Sequence, residues 1–402
     1  MFHRPGGPQQ LAVGIAARFI GPPPTVESLR AHVRDRLADL PSLTHRLTPG
    51  VKAPRLEPVA HIDLAQHIHD VPVRTRSTWQ ESIREVLRRP LPGEEEPRWD
   101  LSLLHGYSDA PEYTLLFRIH HAMQDGSGHH YVAQILFSPV QAPEASKEPV
   151  AQPKVRDYPS LQGVYGAARD IARSFASPRT WPMMHQPPTG KLCAAFSTAE
   201  SKQLVELSRR LETGIGEIFL TALAGAMREL GLSQGNAPGP LAVSWPLTVR
   251  RPAERGAMGN YLTNIRVELP CDELDPLVRL GRIARQLRPA VTETRIQATR
   301  ALTQWAPAPV ARWVMGRVTD SRVAPITATY VPIALRRPTL LGTPMSGFTG
   351  MGCPLSRQLL HLVLVKFRSE CELTVVYDEA LPGGADIPRL WANCLEELNA
   401  RV

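Results

Sequence analysis

The stretch Leu116–Gly128 reads LFRIHHAMQDGSG and sets His120, His121, Asp125 and Gly126 at fixed offsets, with His129 and His130 just beyond. A neutral imidazole takes a proton from an alcohol or amine while that group attacks a carbonyl, and histidine is the side chain whose ordinary pKa suits that work near neutral pH. A metal site is the weaker reading. Adjacent residues on a strand point to opposite faces, so His120 and His121 do not chelate one ion, and no HExxH or clustered cysteine and acid accompanies them. No metal is therefore expected. A third reading makes them buried histidines at a strand end with their hydrogen bonds satisfied, which would be enough for a lone histidine. In the catalytic reading, Asp125 orients the turn through a salt bridge and Gly126 supplies backbone freedom for a tight turn. With no GxSxG or comparable nucleophile motif, direct transfer with one general base is simpler than a covalent acyl-enzyme.

The elements around this motif must present it. Tyr113–Ile119 is apolar enough for a central strand, and Ser127–Leu136 reads as a helix with YVAQIL as its apolar face. A histidine at the end of such a strand can face a cleft between two domains. Upstream, Leu11–Ile20 reads as a buried strand stopped by Gly21-Pro22-Pro23-Pro24. Thr25 then caps a helix with Leu29, Val33 and Leu37 on one stripe. Trp79–Arg88 reads as a helix and Leu101–Gly106 as a short strand. From Ser138 to Gly190 proline replaces large apolar residues, which marks a linker, broken by a short helix at Leu161–Ser174. The second half predicts helices at Ser197–Arg210, Gly216–Leu230 and Ile387–Leu398, with Glu273–Leu302 largely helical. Its strands are expected at Leu241–Val249, Tyr261–Leu269, Ile326–Ile333, Gln358–Phe367 and Glu372–Tyr377. The expected organisation is a mixed α/β fold: an N-terminal subdomain over 1–140, a crossover over 141–190 and a C-terminal subdomain over 191–402.

Composition narrows the function classes. The 402 residues are 43% hydrophobic and 21% charged, without repeats or low-complexity tracts, as in a globular protein. No apolar run reaches the ~20 residues a membrane span needs. The N-terminus lacks an apolar signal core, so a cytoplasmic location is expected. The five cysteines are scattered and suit a reducing compartment. The net charge of +8 comes from dispersed arginines with few aromatics among them, which disfavours nucleic acid and leaves a phosphate-bearing cofactor, anionic lipid, an acidic partner protein or simply a solvated arginine-rich surface. The segment Leu302–Val318 mixes tryptophans, alanines and arginines; peripheral membrane contact and ordinary helix packing both stay open there.

His120-His121-Ala122-Met123-Gln124-Asp125-Gly126 matches the HHxxxDG signature of the CoA-dependent acyltransferase superfamily. The chain resembles the bacterial wax ester synthase/diacylglycerol acyltransferase family over most of its length. LAVGIAARFIGPPPTVESLRAHVRDRLADLPSLTHRL looks like that family's first strand and helix, and Pro97, Arg98 and Trp99 like its Pro-x-Trp segment. Arg250, Gly259 and Asn260 are similar to its arginine strand and Gly-Asn segment. GEIFLTALAGAMREL and LTVVYDEALPGGADIPRLWANCLEEL resemble the helix after the crossover and the closing strand and helix.

That resemblance implies two chloramphenicol-acetyltransferase-like subdomains forming a pseudo-dimeric V with a tunnel between them. It implies a catalytic set of His121, the general base, with His120, Asp125 and Gly126, and a salt bridge from Arg250 to Asp125. Trp99, Asn260, Asn264 and Tyr330 are the implied substrate contacts. No cofactor is expected to be bound; a CoA or phosphopantetheine thioester would be the co-substrate, brought as acyl-CoA or by an acyl-carrier protein. Two stretches depart from the family pattern: Arg251-Pro252 replaces an Asn-Asp pair, and Tyr330-Val331-Pro332-Ile333-Ala334 replaces an Asn-Val-Pro-Gly-Pro loop. Both changes lie where a small-molecule pocket could be reshaped, which makes a specialised-metabolite acceptor at least as good an expectation as a long-chain alcohol or diacylglycerol. The leading expectation is acyl transfer to a hydroxyl to form an ester. Condensation of a carrier-bound acyl group with an amine and a non-catalytic partner-binding role stay beside it.

Overall fold

The computed structural model describes residues 11–48, 55–73, 78–138, 160–173, 181–236, 239–318, 320–355 and 357–402. The strands are β1 (Ala12–Ile20), β2 (His45–Thr48), β3 (Arg55–Pro58), β4 (Ile68–Pro72), β5 (Trp99–His105), β6 (Glu112–His120), β7 (Leu192–Glu200), β8 (Leu241–Thr248), β9 (Leu262–Leu269), β10 (Ile326–Ile333), β11 (Thr339–Leu340), β12 (Thr343–Met351), β13 (Leu360–Phe367) and β14 (Glu370–Asp378). They form two six-stranded sheets, ordered β11-β12-β1-β6-β5-β4 and β7-β14-β13-β10-β8-β9, with β2 and β3 as a separate hairpin.

In the first sheet, β1 lies between β6 and β12, antiparallel to both. Its run of apolar residues suits a strand covered on both faces. The β1–β6 register sets Ala12 opposite His120, so the motif begins where the central strands end. The Thr25 and Thr78 side chains cap the helices Val26–Arg34 and Trp79–Leu87, the second with a full capping box, which is why both begin where the sequence predicts.

Two expectations need correction. Ser197–Arg210 is not one helix: Leu192–Glu200 forms β7, paired antiparallel along β14, and the helix starts at Ser201. The small residues of LCAAFSTAE give little strand signal, and only the β14 edge makes them a strand. The C-terminal subdomain is also not closed over 191–402. Strands β11 and β12 leave it and complete the first sheet, with Gly14 opposite Met351 and Ala17 opposite Phe348. β12 was missed because TPMSGFTGM carries proline and glycines that hide its periodicity. Residues 139–159 and 174–180 of the expected crossover lie outside the described residues; its helix spans Leu161–Arg173.

β13 is the wall between the halves. Leu360, Leu362 and Leu364 enter the core of the second sheet, whereas Val363, Val365 and Phe367 pack into that of the first. The two-residue strand period thus divides one strand between two cores and turns His361 to the side shared by both halves. The five cysteines are free, and among the described residues no helix is long and apolar enough to cross a membrane.

Candidate active site

The motif turn is held from both halves. Backbone bonds from His120 N to Arg98 O (2.8 Å) and from His121 N to Leu11 O (2.7 Å) close off the end of β6. Asp125 then caps the helix Gly126–Phe137, accepting from Gly128 N at 3.0 Å. Its fully buried carboxylate also accepts from Arg250 Nε, 3.1 Å to each oxygen, and from Tyr261 N at 2.9 Å. Arg250 uses its other nitrogens on the carbonyls of Glu254 (2.7 Å), Ala257 (2.8 Å) and Gly259 (2.8 Å), and lies over the Tyr261 ring. Gly259 sits at φ +89°, which favours glycine, and its N–H donates to Met123 O at 2.6 Å. Asn260 Nδ2 donates to His121 O at 2.6 Å. A buried Glu254–Arg300 pair stiffens the same segment from behind, and Arg300 holds the Glu254 carboxyl below its usual range. Arg250 lies just past the end of β8 rather than on a strand; there the chain can turn its guanidinium into the motif loop.

His121 is buried and lines a cavity of about 620 Å³ walled by both halves. Its Nδ1 lies 3.3 Å from Gln124 O, and a carbonyl can only accept, so the proton sits on Nδ1 and Nε2 is the basic nitrogen. Burial lowers the His121 pKa below 6.5, while nearby Asp125 pulls the other way. A neutral ring of fixed tautomer with a buried carboxylate nearby can accept a proton at Nε2.

Of the residues expected at the site, Gly126, Asn260, Asn264 and Tyr330 join His121 on the cavity wall. Burial pushes the Tyr330 hydroxyl up to about 12. Asp125 and Arg250 stand behind the wall and position it. His120 is not part of the lining; its Nδ1 accepts from Ala122 N at 3.2 Å, which makes it a brace for the turn. Trp99 is also displaced from the expected contacts. It is buried in the first core, stacked on His67, with its indole N–H on Leu43 O at 2.9 Å. Gly126 keeps an ordinary backbone conformation as the first helical residue, so its value is not the turn. An added Cβ there would meet nothing within 4 Å, so no close neighbour demands the glycine, and the missing side chain adds to the open space of the cavity it lines.

Sequence reading missed the far wall: Gly14 on β1, Gly350 and Gly352 at the end of β12, and His361 on β13. For His361 a signal exists, a histidine alternating with LxLxL in LHLVLVKF. The glycines give none, because only pairing between the halves brings them to the cavity. The Leu302–Val318 segment forms two helices, ending at Trp305 and spanning Ala308–Val318. Ala311, Arg312 and Met315 face the cavity while Val310 and Trp313 are exposed.

Comparison with known proteins agrees with this geometry. Residues 9–213 match the family model described as the wax ester synthase/diacylglycerol acyltransferase catalytic domain, and the chain belongs to that family. A Mycobacterium tuberculosis protein bearing the name of a diacylglycerol O-acyltransferase is 28% identical over 233 residues, 49% of this chain and 48% of the relative. The chain thus spans about half the length of that relative. A second M. tuberculosis protein so named is 23% identical over 395 residues, covering 86% and 77% of the two chains. The fold is shared with the wax ester synthase/diacylglycerol acyltransferase of Marinobacter aquaeolei VT8, at TM-score 0.66, 19% identity and 98% and 96% coverage. It is also shared with the starter condensation domain of rhizomide synthetase in complex with C8-CoA, at TM-score 0.66, 15% identity and 98% and 90% coverage. The fold is therefore the pseudo-dimeric, two-subdomain one of those proteins.

Proposed function

We propose that this chain transfers an acyl group from a thioester, acyl-CoA by preference, to a hydroxyl, forming an ester. The observation that carries the reading is His121 on the wall of a cavity shared by both halves, its Nδ1–H pinned to Gln124 O. The acceptor O–H gives its proton to His121 Nε2 as the oxygen attacks the thioester carbonyl. The new C–O bond forms, and the carbonyl becomes an oxyanion. When that intermediate collapses the C–S bond breaks, and the imidazolium returns its proton to the departing thiolate. No covalent acyl-enzyme is needed.

Two features of the chain favour this path. The first turn of the helix Gly126–Phe137 ends at the cavity, and its N–H end carries the partial positive charge that suits an oxyanion. Asp125, fixed in place by its ion pair with Arg250, carries a negative charge that favours the imidazolium form of His121. An amine acceptor with a carrier-bound thioester would use the same steps, and the neighbour bound to C8-CoA favours CoA as the first donor to try.

His121→Ala should lower ester formation from acyl-CoA and an alcohol panel by ~10²–10⁴-fold with an unchanged melting curve. Retained turnover would remove the general base, and product only from a carrier-bound thioester would move the reading to the condensation type.

A further inference from the structure

A second imidazole shares the cavity with His121. His361 is buried on β13, on the face whose neighbours Val363 and Val365 also line the cavity. Its Nδ1 lies 2.7 Å from Cys353 O, which fixes the proton on Nδ1 by the same logic that fixes it in His121. Nε2 is then an acceptor, and among the described residues no protein group bonds to it. The ring lies against Gly352, where an added Cβ would stand 2.3 Å from Cδ2 and 2.4 Å from Nε2. The chain thus keeps a glycine where any side chain would displace this imidazole. Burial lowers the His361 pKa to about 4, so the ring stays neutral and Nε2 stays an acceptor at physiological pH.

The surroundings make that acceptor informative. Much of this side of the cavity is apolar, formed by Ile15, Phe348, Met351, Leu355, Val363 and Val365. A buried acceptor in such a setting disfavours a substrate that leaves it unpaired and favours one that brings a donor. His121 already takes the one proton of the reacting hydroxyl, so His361 must meet a different donor.

Resting on the acyl-transfer reading above, we infer that His361 Nε2 accepts a hydrogen bond from a second hydroxyl of the acceptor substrate, so that the site selects dihydroxy acceptors over simple alcohols. One hydroxyl reacts at His121 and the other anchors at His361. The imidazole is a specificity residue and takes no part in bond making.

The test compares 1-octanol with octanediols whose second hydroxyl lies on carbon 2 through carbon 8. Calorimetry measures their binding to the full chain, and turnover is followed with octanoyl-CoA. At least one diol should bind and react roughly ten-fold better than 1-octanol, the worth of one buried hydrogen bond. In His361→Phe that ratio should collapse toward one through KM for the diol, with kcat little changed. His361→Gln, whose side-chain oxygen reaches the Nε2 position, should recover part of it, and Gly352→Ala should reproduce the loss by displacing the ring. Melting curves confirm that each variant is folded, and the Gln and Gly352 variants decide the matter if the Phe variant is not. Equal binding of every diol and of octanol would overturn the inference, as would a preference that survives in His361→Phe. A rise in KM for octanoyl-CoA instead would assign the imidazole to the thioester arm and overturn it too. Diol preference in binding without any ester product would sink the acyl-transfer reading and leave the His361 contact standing.

Discussion

The two sides of the cavity are built on different principles. The motif side is polar and cross-linked: Asp125 alone receives three hydrogen-bonding groups from separate parts of the chain, Gly128 N, Arg250 Nε and Tyr261 N. The β12–β13 side is apolar and glycine-lined, with His361 as an isolated polar feature. A reacting centre needs its base held to within fractions of an ångström, which directional hydrogen bonds supply. A substrate-shaping wall needs volume, and glycine against valine sets it. The lesson is that rate should depend on the first side and selectivity on the second.

The largest departure is expected at the ion pair. Asp125→Ala leaves the Arg250 guanidinium buried without its carboxylate and removes a helix cap, and it should cost about 3–5 kcal/mol in denaturant unfolding as well as most of the activity. The Asp125→Ala/Arg250→Ala double variant should recover part of the stability and none of the rate. A stability loss under about 1 kcal/mol for Asp125→Ala would break the comparison, because the motif side would then not depend on its cross-links.

The pH dependence sharpens it next. Burial lowers the His121 pKa, so the folded state resists protonation. The ring's contribution to stability is complete above its ordinary 6.5, falls away as pH drops below it, and is gone once pH has passed the lower folded value. The acid limb of kcat/KM should therefore lie below 6.5, with about a ten-fold fall per pH unit beneath it. A limb at or above 6.5 would mean that the base is not this buried ring.

On the opposite wall effects should be smaller. In Gly350→Ala the new methyl would stand 2.8 Å from Val365 Cγ2 and 2.9 Å from Val363 Cγ1. Overpacking of that kind costs about 1–3 kcal/mol and narrows the cavity. Differential scanning calorimetry and a panel of acyl-CoA lengths should show lower stability and a shift toward shorter chains, with the acid limb unmoved. Trp99→Phe should do least: it keeps an aromatic ring beside His67 and loses the bond to Leu43 O, for about 1 kcal/mol in thermal unfolding. KM should not change; a several-fold rise would return Trp99 to the substrate contacts.

Local sequence carried the motif and much of its frame. Strand, turn and helix around His121 follow from an apolar run, an aspartate-glycine turn and a helical apolar face. β10 spans Ile326–Ile333 as its β-branched pattern indicates, and the Thr25 cap places one helix start to the residue. These signals are short-ranged, and each is fixed by neighbours within a few positions. The pairing of Asp125 with Arg250 came from family resemblance, since nothing in their separation of 125 residues demands it.

What the chain alone could not disclose is what the other half provides. TPMSGFTGM becomes a strand because β1 offers it an edge, and LCAAFSTAE because β14 does. Trp99 is a core residue because His67 and Leu43 reach it from other elements, and Gly126 serves by leaving space that only the folded cavity defines. His361 faces His121's cavity because β13 is shared between two cores. Periodicity specifies which residues share a face; which face meets which is decided by long-range packing, where the entropy of joining distant segments is offset by burial that no local window contains.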